Sequence, residues 1–375
     1  MMRKTFFWIH LAAGLVAAIP LAIMAFTGVL LAFEHQIVDA LERPATRIDA
    51  AAPRLPLDQL VASVPRGESP MPLTLRLSAD PSQPVEFRRG KEMVARVDPT
   101  TGAVVSRPSS ARETFAFIER IHRWLGSRET GGVVTGVSTL LCLLLSATGL
   151  VLWWPRSLRA MRNVAWPRRG LSGRARDWQW HNAVGVLVLP FLFVLSATGS
   201  VMAWPWAEKA LYMAVGSEPP RREAAGKPAP SRPEAGPAMG HRREGRPDAG
   251  KVAHLDENWQ AWMDTALAHA PAGWASVALS EPSRGKGAQA VYRGPDPHSP
   301  SGGTVSLALA GGFESWKPAR TDAGAKARMW ARYLHTGELL GLPGQILMAL
   351  AALGTLLLIW TGAALSWRRF FVRRA

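Results

Sequence analysis

Four histidines of this chain each stand at a fixed distance before a Thr-Gly pair in an apolar run. His10 precedes Thr27-Gly28 and His181 precedes Thr198-Gly199 by 17 residues, while His122 precedes Thr148-Gly149 and His335 precedes Thr361-Gly362 by 26 residues. The repeated spacing predicts an internal duplication. Paired imidazoles on facing membrane helices are what a b-type haem needs for its axial ligands, so the spacing points to one-electron chemistry.

The elements that must position these histidines are apolar stretches long enough to cross a bilayer, which takes about 20 residues. They run over residues 5–33, 132–154, 181–204 and 342–367. Tryptophans stand at the ends of these stretches, as aromatic belts require: Trp153, Trp154, Trp204 and Trp367. The first stretch follows Arg3 and Lys4, is about twice as long as the core of a signal peptide and lacks a small-residue cleavage site before Glu34, which predicts a retained anchor.

The charge distribution predicts the orientation. The chain carries a net charge of +16, with arginine clusters at 156–176 and 368–374. The positive-inside rule places both clusters and the N-terminus in the cytoplasm, and the long segments 34–131 and 205–341 outside. We therefore expect a multi-pass protein of the bacterial inner membrane, without a nucleic-acid partner. The sole cysteine, Cys142, lies within a span and cannot form an internal disulfide.

Both outer segments contain patterns typical of small α+β units. The first has a helical pattern at 56–64 and strand patterns at 73–77, 85–88, 93–97 and 103–106, with a hairpin turn at 98–102. The second begins with a Pro/Gly/Ala/Arg-rich stretch at 217–251, which predicts a disordered linker. A helical pattern at 257–269 and strand patterns at 274–279, 288–292 and 304–309 follow.

The chain resembles the PepSY-associated transmembrane family, which includes iron-regulated inner-membrane proteins and ferric-siderophore reductases. The resemblance covers nearly the whole chain except the linker. It is carried by Arg3-Lys4, His10, Gly14 and Thr27-Gly28; by His122-Arg123-Trp124-Leu125-Gly126, Thr148-Gly149 and Trp153-Trp154-Pro155; by Trp180-His181-Asn182, Gly185 and Thr198-Gly199; and by Leu334-His335-Thr336-Gly337-Glu338, Leu342-Pro343-Gly344, Thr361-Gly362 and Trp367-Arg368. The resemblance implies a four-helix membrane core, PepSY modules that face the periplasm and, in some members, haem.

The expected fold is thus an α-helical membrane protein with a core of four transmembrane helices and two small PepSY-like periplasmic modules. The predicted segments are helix 1 at 1–33, a first module at 34–121, helix 2 at 122–155, a basic cytoplasmic loop at 156–179, helix 3 at 180–206, a second module with its linker at 207–334, helix 4 at 335–367 and a cytoplasmic tail at 368–375. Some larger relatives carry a fused flavin reductase, whereas only eight residues follow Trp367 here. We therefore expect a separate cytoplasmic reductase or a membrane quinol as electron donor.

Depth in the membrane suggests how the histidines pair. His10 and His181 each begin an outward-going helix, whereas His122 and His335 each precede an inward-going one. A separation of 26 residues is about 39 Å of helix, more than the hydrocarbon core of about 30 Å, so His122 and His335 should lie at the outer interface. We predict two haems of the b type, one held by His10 with His181 and one by His122 with His335, with helix breaks at Gly131-Gly132 and Pro343.

Other residues near the predicted ligands have less certain roles. His35 lies just past the first span, with Trp206 at the matching position of the second half, and it is either a substitute ligand, a residue on the acceptor side or a simple interfacial histidine. Arg123 and Arg332 are candidates to pair with haem propionates, because arginine forks suit carboxylates. Glu338, one turn after His335, is a candidate acceptor for a ring N–H.

These patterns favour an oxidoreductase over other function classes. The chain has no metalloprotease, hydrolase, phosphate-loop or dinucleotide-binding motif. The leading hypothesis is a haem protein of the inner membrane that reduces a periplasmic acceptor, by family resemblance a ferric siderophore, in iron acquisition. The alternatives are a non-redox PepSY protein that binds or regulates a partner, with structural histidines, and a siderophore permease subunit, for which four spans leave little room.

Overall fold

A computed structural model describes residues 2–43, 48–64, 71–90, 92–154, 170–220, 258–282, 287–296 and 301–371. The helices, in chain order, are α1 (Met2–Leu31), α2 (Glu34–Leu41), α3 (Leu57–Ala62), α4 (Ser110–Trp124), α5 (Thr130–Trp153), α6 (Gly173–Ala203), α7 (Pro205–Ala214), α8 (Trp259–Ala268), α9 (Ala323–Thr336) and α10 (Gly341–Phe370). The strands are β1 (Leu73–Ser78), β2 (Val85–Arg89), β3 (Glu92–Val97), β4 (Val104–Ser106), β5 (Ser276–Ser280), β6 (Gln289–Arg293), β7 (Gly302–Leu307) and β8 (Phe313–Pro318).

Four helices, α1, α5, α6 and α10, form a bundle, and each is long and apolar enough to cross a membrane. They pack in a ring in which α1 touches α5 and α10, and α6 touches α5 and α10, so α1 and α6 stand on one diagonal. The chain is therefore a multi-pass membrane protein with a helical core. We call the end of the bundle that holds the start of α1 and the end of α10 the termini side, and the opposite end the sheet side.

The chain before α5 and α10 is broken at other residues than the sequence predicts. His122 lies in α4, a separate helix that ends at Trp124, and the chain reverses through Leu125 (φ 45°) and Gly126 (φ 89°) before α5 begins. His335 lies in α9, which ends at a left-handed Gly337. The breaks therefore come earlier than the predicted Gly131-Gly132 and Pro343, because a left-handed residue ends each helix before those positions are reached.

The strands of the two halves form one antiparallel sheet of eight strands, in the order β4-β3-β2-β1-β5-β6-β7-β8. The sequence predicts two separate units, but β1 and β5 pair along their edges, with Leu75 opposite Leu279 and Leu77 opposite Val277. The pairing satisfies the backbone groups that two exposed edge strands would leave open. The predicted strands are confirmed to within two or three residues, whereas β8 has no counterpart in the prediction.

One face of the sheet carries the hydrophobic core. Its alternate side chains pack against α3 and α8, with Phe87, Leu75, Leu279, Trp259 and Met263 fully or almost fully buried. The other face presents the intervening polar side chains. Residues 156–169 of the predicted basic loop (156–179) and residues 221–251 of the predicted linker (217–251) lie outside the described residues, whereas residues 173–179 of the predicted loop are the first two turns of α6.

Candidate functional site

The four spaced histidines occupy equivalent places in the two halves of the chain. His10 is on α1 and His181 on α6, the two helices of one diagonal, near the termini side. His122 is on α4, which packs along α1, and His335 is on α9, which packs along α6. All four histidines therefore lie on α1, on α6 or on a helix that packs against one of these two.

Each histidine forms a hydrogen bond with the threonine of a Thr-Gly pair on another helix. The Nδ1 to Oγ1 distances are 2.9 Å for His10 with Thr148, 3.0 Å for His122 with Thr27, 3.0 Å for His181 with Thr361 and 3.1 Å for His335 with Thr198. The four threonines are buried. Each Thr-Gly pair therefore contacts a histidine of its own half of the chain. The contacting histidine is not the one that precedes the pair by 17 or 26 residues, because the two histidines of each half have exchanged their Thr-Gly pairs.

The hydrogen-bond network indicates which ring nitrogen carries the proton. Each threonine hydroxyl also lies within hydrogen-bond distance of a carbonyl four residues earlier in its own helix, those of Ile23, Leu144, Val194 and Leu357. A hydroxyl has one hydrogen, so donating it to that carbonyl leaves the oxygen to accept from the ring. For His335, Nδ1 is also 3.1 Å from the carbonyl oxygen of Leu195, which can only accept. The network therefore assigns the proton to Nδ1 and leaves Nε2 with a free lone pair.

The glycine that follows each threonine provides room for the ring. A Cβ atom added at Gly28, Gly149 or Gly199 would lie 3.3 Å from Cε1 of His122, His10 or His335, and one added at Gly362 would lie 3.4 Å from Cε1 of His181. These distances are shorter than ordinary van der Waals contact. The Thr-Gly pair is therefore a cradle in which the threonine orients the imidazole and the glycine lets it approach the helix backbone.

The histidines meet in two pairs across the bundle. The ring centroids of His10 and His181 are 6.4 Å apart with planes at 87°, and those of His122 and His335 are 6.4 Å apart with planes at 67°. The partners are those predicted from depth in the membrane. Along α1, the ring of His10 and the Thr27 that contacts His122 are 17 residues apart, or about 26 Å of helix, so the pairs lie near opposite ends of the bundle.

The donor set of each pair suits a haem better than a bare metal ion. In the parts of the chain that the structure describes, no group of three or more His, Cys, Asp or Glu side chains could hold a metal ion. A bare transition-metal ion generally requires three or four protein ligands, whereas a haem iron needs only axial ones. In each pair, both imidazoles have Nδ1 hydrogen-bonded to a threonine, Nε2 available as a ligand and a glycine behind the ring. These features fit the haem that the histidine spacing predicts.

Two buried polar groups stand near the termini-side pair. Trp153, on α5 just beyond Thr148-Gly149, has a buried indole nitrogen that lacks a hydrogen-bond partner among the described residues. Asp177, one turn before His181, is buried between Arg176 and Arg368, with its Oδ2 3.0 Å from a guanidinium nitrogen of Arg368. The ion pair ties the start of α6 to the end of α10, and the indole N–H is free to donate to a bound ligand.

The remaining predicted site residues lie outside the histidine pairs. His35 is exposed on α2, and its Nδ1 is 3.6 Å from a carboxylate oxygen of Glu338. Glu338 therefore lies beside His35 and is not the acceptor for His335 that the sequence suggested. The Nδ1 of His335 contacts Thr198 and the carbonyl oxygen of Leu195. The guanidinium of Arg123 pairs with Glu119 at 2.8 Å and lies over the ring of Trp124. The side chain of Arg332 is exposed on α9.

From their sequence alone, the small residues of the Thr-Gly pairs predict helix-packing positions that also leave room for a flat macrocycle. The structure gives the threonines a more specific part, since each one orients a histidine of another helix. The equal spacings were the available signal, because a Thr-Gly pair needed only for packing has no reason to keep a constant distance from a histidine.

Comparison with protein families gives one result that covers nearly the whole chain. The family model described as the PepSY-associated TM region matches residues 7–369. No curated protein matches the chain.

Proposed function

Since the chain belongs to the PepSY-associated transmembrane family, we propose that it is a haem b protein of the bacterial inner membrane that passes single electrons to a periplasmic acceptor. The acceptor that the resemblance favours is a ferric siderophore, and the role is iron acquisition. The observation that carries the proposal is the pair of histidine couples, one near each end of the bundle, with every Nδ1 held by a threonine.

The spacing of the rings supports axial ligation. The two imidazoles of each pair, His10 with His181 and His122 with His335, would hold the haem iron between them, which requires their rings to face each other with room for the iron. Both pairs have centroids 6.4 Å apart. When bound, haem b supplies a one-electron Fe(III)/Fe(II) couple. Two such sites about 26 Å apart would cover most of a hydrocarbon core of about 30 Å.

The residues of this chain would position and tune the two sites. The threonines hold each imidazole in one tautomer and one orientation, and accepting the Nδ1–H makes Nε2 a stronger donor. The indole N–H of Trp153 is available to a propionate on the termini side. The hydrophobic bundle keeps water away from the path between the two pairs.

The direction of transfer rests on the charge distribution. Five arginines of the described residues lie at the termini side: Arg3, Arg174, Arg176, Arg368 and Arg369. The positive-inside rule assigns this side to the cytoplasm, so a cytoplasmic reductase or a membrane quinol would deliver electrons near His10 and His181. The acceptor would then be reduced beyond His122 and His335. Reduction of Fe(III) to Fe(II) would release the metal, because siderophores hold Fe(II) more weakly.

The test is a dithionite-reduced minus oxidised spectrum of the purified protein, with haem counted per chain. We expect two haems per chain, loss of about one in His10→Ala or His122→Ala, and no loss in the control His269→Ala, whose ring stacks on Phe313 beside the sheet. A protein without a Soret band after expression with haem would overturn the proposal and favour a non-redox PepSY binding protein. An unchanged spectrum in both variants would show that the ligand assignment is wrong.

A further inference from the structure

The polar face of the eight-stranded sheet carries a cluster of arginines around its centre. Arg76 on β1, Arg88 on β2, Arg96 on β3 and Arg293 on β6 project from this face, together with Glu86 on β2. The strand register aligns three of them in one row, because Arg76 is opposite Glu86 and Glu86 is opposite Arg96. The pairing of β1 with β5 adds Arg293 of the second half to the three arginines of the first.

This arginine cluster faces the membrane bundle. A guanidinium nitrogen of Arg96 is 3.4 Å from the carbonyl oxygen of Glu42, and another is 3.9 Å from a carboxylate oxygen of Asp39. Both acidic residues belong to the end of α2, which follows α1 out of the bundle. Because Arg76 lies in the same row of the same face, it lies on the side of the sheet that contacts the end of α2.

The carboxylates on this side already lie close to basic side chains. Glu86 accepts hydrogen bonds from Arg88 at 2.7 Å and from Arg96 at 3.3 Å. Glu42 pairs with Arg112, Glu119 with Arg123 and Glu338 with His35. Glu34, near Glu119 and Glu338, is partly buried, and burial raises the pKa of its carboxyl, which favours the neutral form.

Two of the arginines have no such partner. Among the described residues, neither Arg76 nor Arg293 has a hydrogen bond or ion pair to its guanidinium, and Arg76 is partly buried. Burial, followed by the nearby charge of Arg293, lowers the pKa of Arg76, and the charge of Glu86 only partly offsets this. Glu86, opposite Arg76, is the acidic neighbour of this pair and already accepts hydrogen bonds from Arg88 and Arg96, so a bound anion would stabilise the two remaining guanidinium groups.

The surface between these two arginines is lined by Ser78, Ser276 and Ala278, with the exposed Val291 of β6 at one corner. Ala278 on β5 is opposite Arg76, and Ser276 on β5 is opposite both Ser78 on β1 and Arg293 on β6. Neighbouring strands are about 4.8 Å apart, so β1 and β6, with β5 between them, are about 10 Å apart. Arg76 and Arg293 therefore stand at diagonal corners of this surface, Ser78 and Val291 stand at the other two, and the short side chains of Ala278 and Ser276 between them leave a shallow basin.

From this geometry we propose that the basin between Arg76 and Arg293 binds an anionic, oxygen-rich chelate of a trivalent metal ion, such as a polycarboxylate complex. The inference rests on the proposed function, since it names the class of acceptor that would be reduced near His122 and His335. Carboxylate oxygens suit the planar guanidinium fork, which can donate two parallel hydrogen bonds. The net positive charge of the basin would discriminate against cationic chelates.

The experiment is calorimetric titration of the full-length purified protein with gallium(III) citrate. Gallium(III) accepts no electron under these conditions, so binding is measured whether or not the protein contains haem or transfers electrons. Arg76→Gln and Arg293→Gln should each weaken binding at least about tenfold, the effect of losing one charge-assisted hydrogen bond. Arg76→Lys should give an intermediate affinity, because it keeps the charge but loses the fork.

The matched control is Arg54→Gln. Arg54 is an exposed arginine in the segment that leads into α3, and its guanidinium contacts only the carbonyl of Pro81 among the described residues. Its removal changes the net charge by the same amount and should leave the affinity unchanged. The proposal is overturned if the wild-type protein does not bind the complex, if all variants bind it equally, or if metal-free citrate or the neutral gallium(III) tris(acetohydroxamate) binds as tightly.

Discussion

The threonine–histidine hydrogen bond is the contact that gives each of the four imidazoles a defined chemical state. A histidine that faces only apolar side chains could present either nitrogen, whereas one whose Nδ1–H is accepted by a threonine presents Nε2. The same contact occurs four times with distances of 2.9 to 3.1 Å. The position of the proton, and not merely the presence of a histidine, is therefore set by residues on a neighbouring helix.

Thr148 is the residue at which this positioning role can be tested. Thr148→Val removes the acceptor of the Nδ1–H of His10, so Nε2 becomes a weaker donor, and we expect haem affinity at the termini-side site to fall at least about tenfold. The midpoint potential of that site should rise, because a weaker donor stabilises Fe(III) less. Redox titration and haem counting measure both effects.

Two further variants control the Thr148 experiment. Thr148→Ser keeps the hydroxyl and should restore the wild-type potential. Ser146→Ala removes a hydroxyl that bonds only to the Cys142 carbonyl of its own helix, and it should change neither quantity. Equal potentials in Thr148→Val and Ser146→Ala would mean that the hydrogen bond to His10 does not tune the site.

At the scale of elements, two short helices carry the sheet-side histidines. α4 and α9 each end at a left-handed residue, so each can lie against the bundle at an angle different from that of the span that follows. This angle lets His122 contact Thr27 on α1, and not Thr148 on the span α5 that follows α4. The start of α4 is anchored by Glu42, whose buried carboxylate accepts hydrogen bonds from Ser109 and pairs with Arg112 at 2.7 Å.

Glu42→Gln tests this anchor, and the expected effect depends on pH. Burial raises the pKa of Glu42, but the hydrogen bonds and charge of Arg112 and the hydrogen bonds from Ser109 outweigh it and hold the pKa below the ordinary 4.5. A carboxyl with a lowered folded-state pKa stabilises the fold above about pH 4.5, and this stability is lost as the pH falls through the folded-state pKa. At pH 7 we expect the variant to lose about 1–3 kcal/mol of unfolding free energy.

Thermal unfolding followed between pH 7 and pH 3 measures this difference. The gap between the wild-type protein and Glu42→Gln should narrow as the pH falls below 4.5. Glu119→Gln, which removes an exposed carboxylate paired with Arg123, should change the unfolding temperature little at any pH. A gap between wild type and Glu42→Gln that stays constant over the whole range would argue against a charged Glu42 as the anchor.

At the scale of the whole molecule, the two halves share one sheet above one bundle. Among the described residues, each half contributes two spans, three shorter helices and four strands in the same order. The joined strands β1 and β5 lie in the middle of the sheet, and the histidine pairs also combine one residue from each half. The candidate cofactor sites and the arginine basin are thus all formed between the halves, and neither half alone contains a complete site.

A disulfide across the junction tests the joined sheet. Thr74 and Ser280 are directly opposite on β1 and β5, with their hydroxyl oxygens 2.9 Å apart. Opposed residues of antiparallel strands have Cα atoms about 4.5–5.5 Å apart, which suits a disulfide. We expect Thr74→Cys combined with Ser280→Cys to crosslink under mild oxidation, as detected by peptide mass spectrometry.

The control for the crosslink is Ser78→Cys combined with Ser280→Cys. Ser78 is opposite Ser276, four residues along the strand from Ser280, which is about 13 Å and beyond disulfide reach. The native Cys142 is buried in the bundle and should not interfere. Equal crosslinking in both double variants would contradict the β1–β5 register.

The sequence by itself determined the four spans, most of the strands and the candidate chemistry, but not α2, α4, α7 and α9 as separate helices. Four apolar runs identified the spans because burial in lipid demands continuous apolar helices, and alternation identified seven of the eight strands, whereas β8, Phe313–Pro318, is exposed at every position and carries no such pattern. The two spacings singled out His10, His122, His181 and His335 as a set. These features are local, so they can be read along the chain.

The tertiary structure decided which of these local features meet. The sequence spacing associates His10 with Thr27. In the folded protein, however, His10 is hydrogen-bonded to Thr148, and Thr27 is hydrogen-bonded to His122. The strands of the two halves also gave no sign that β1 would pair with β5 and bring Arg76 beside Arg293. Which helices touch and which strands pair depends on packing between segments that are far apart in sequence. Many partners satisfy the same local pattern, and only the complete bundle and sheet select one of them.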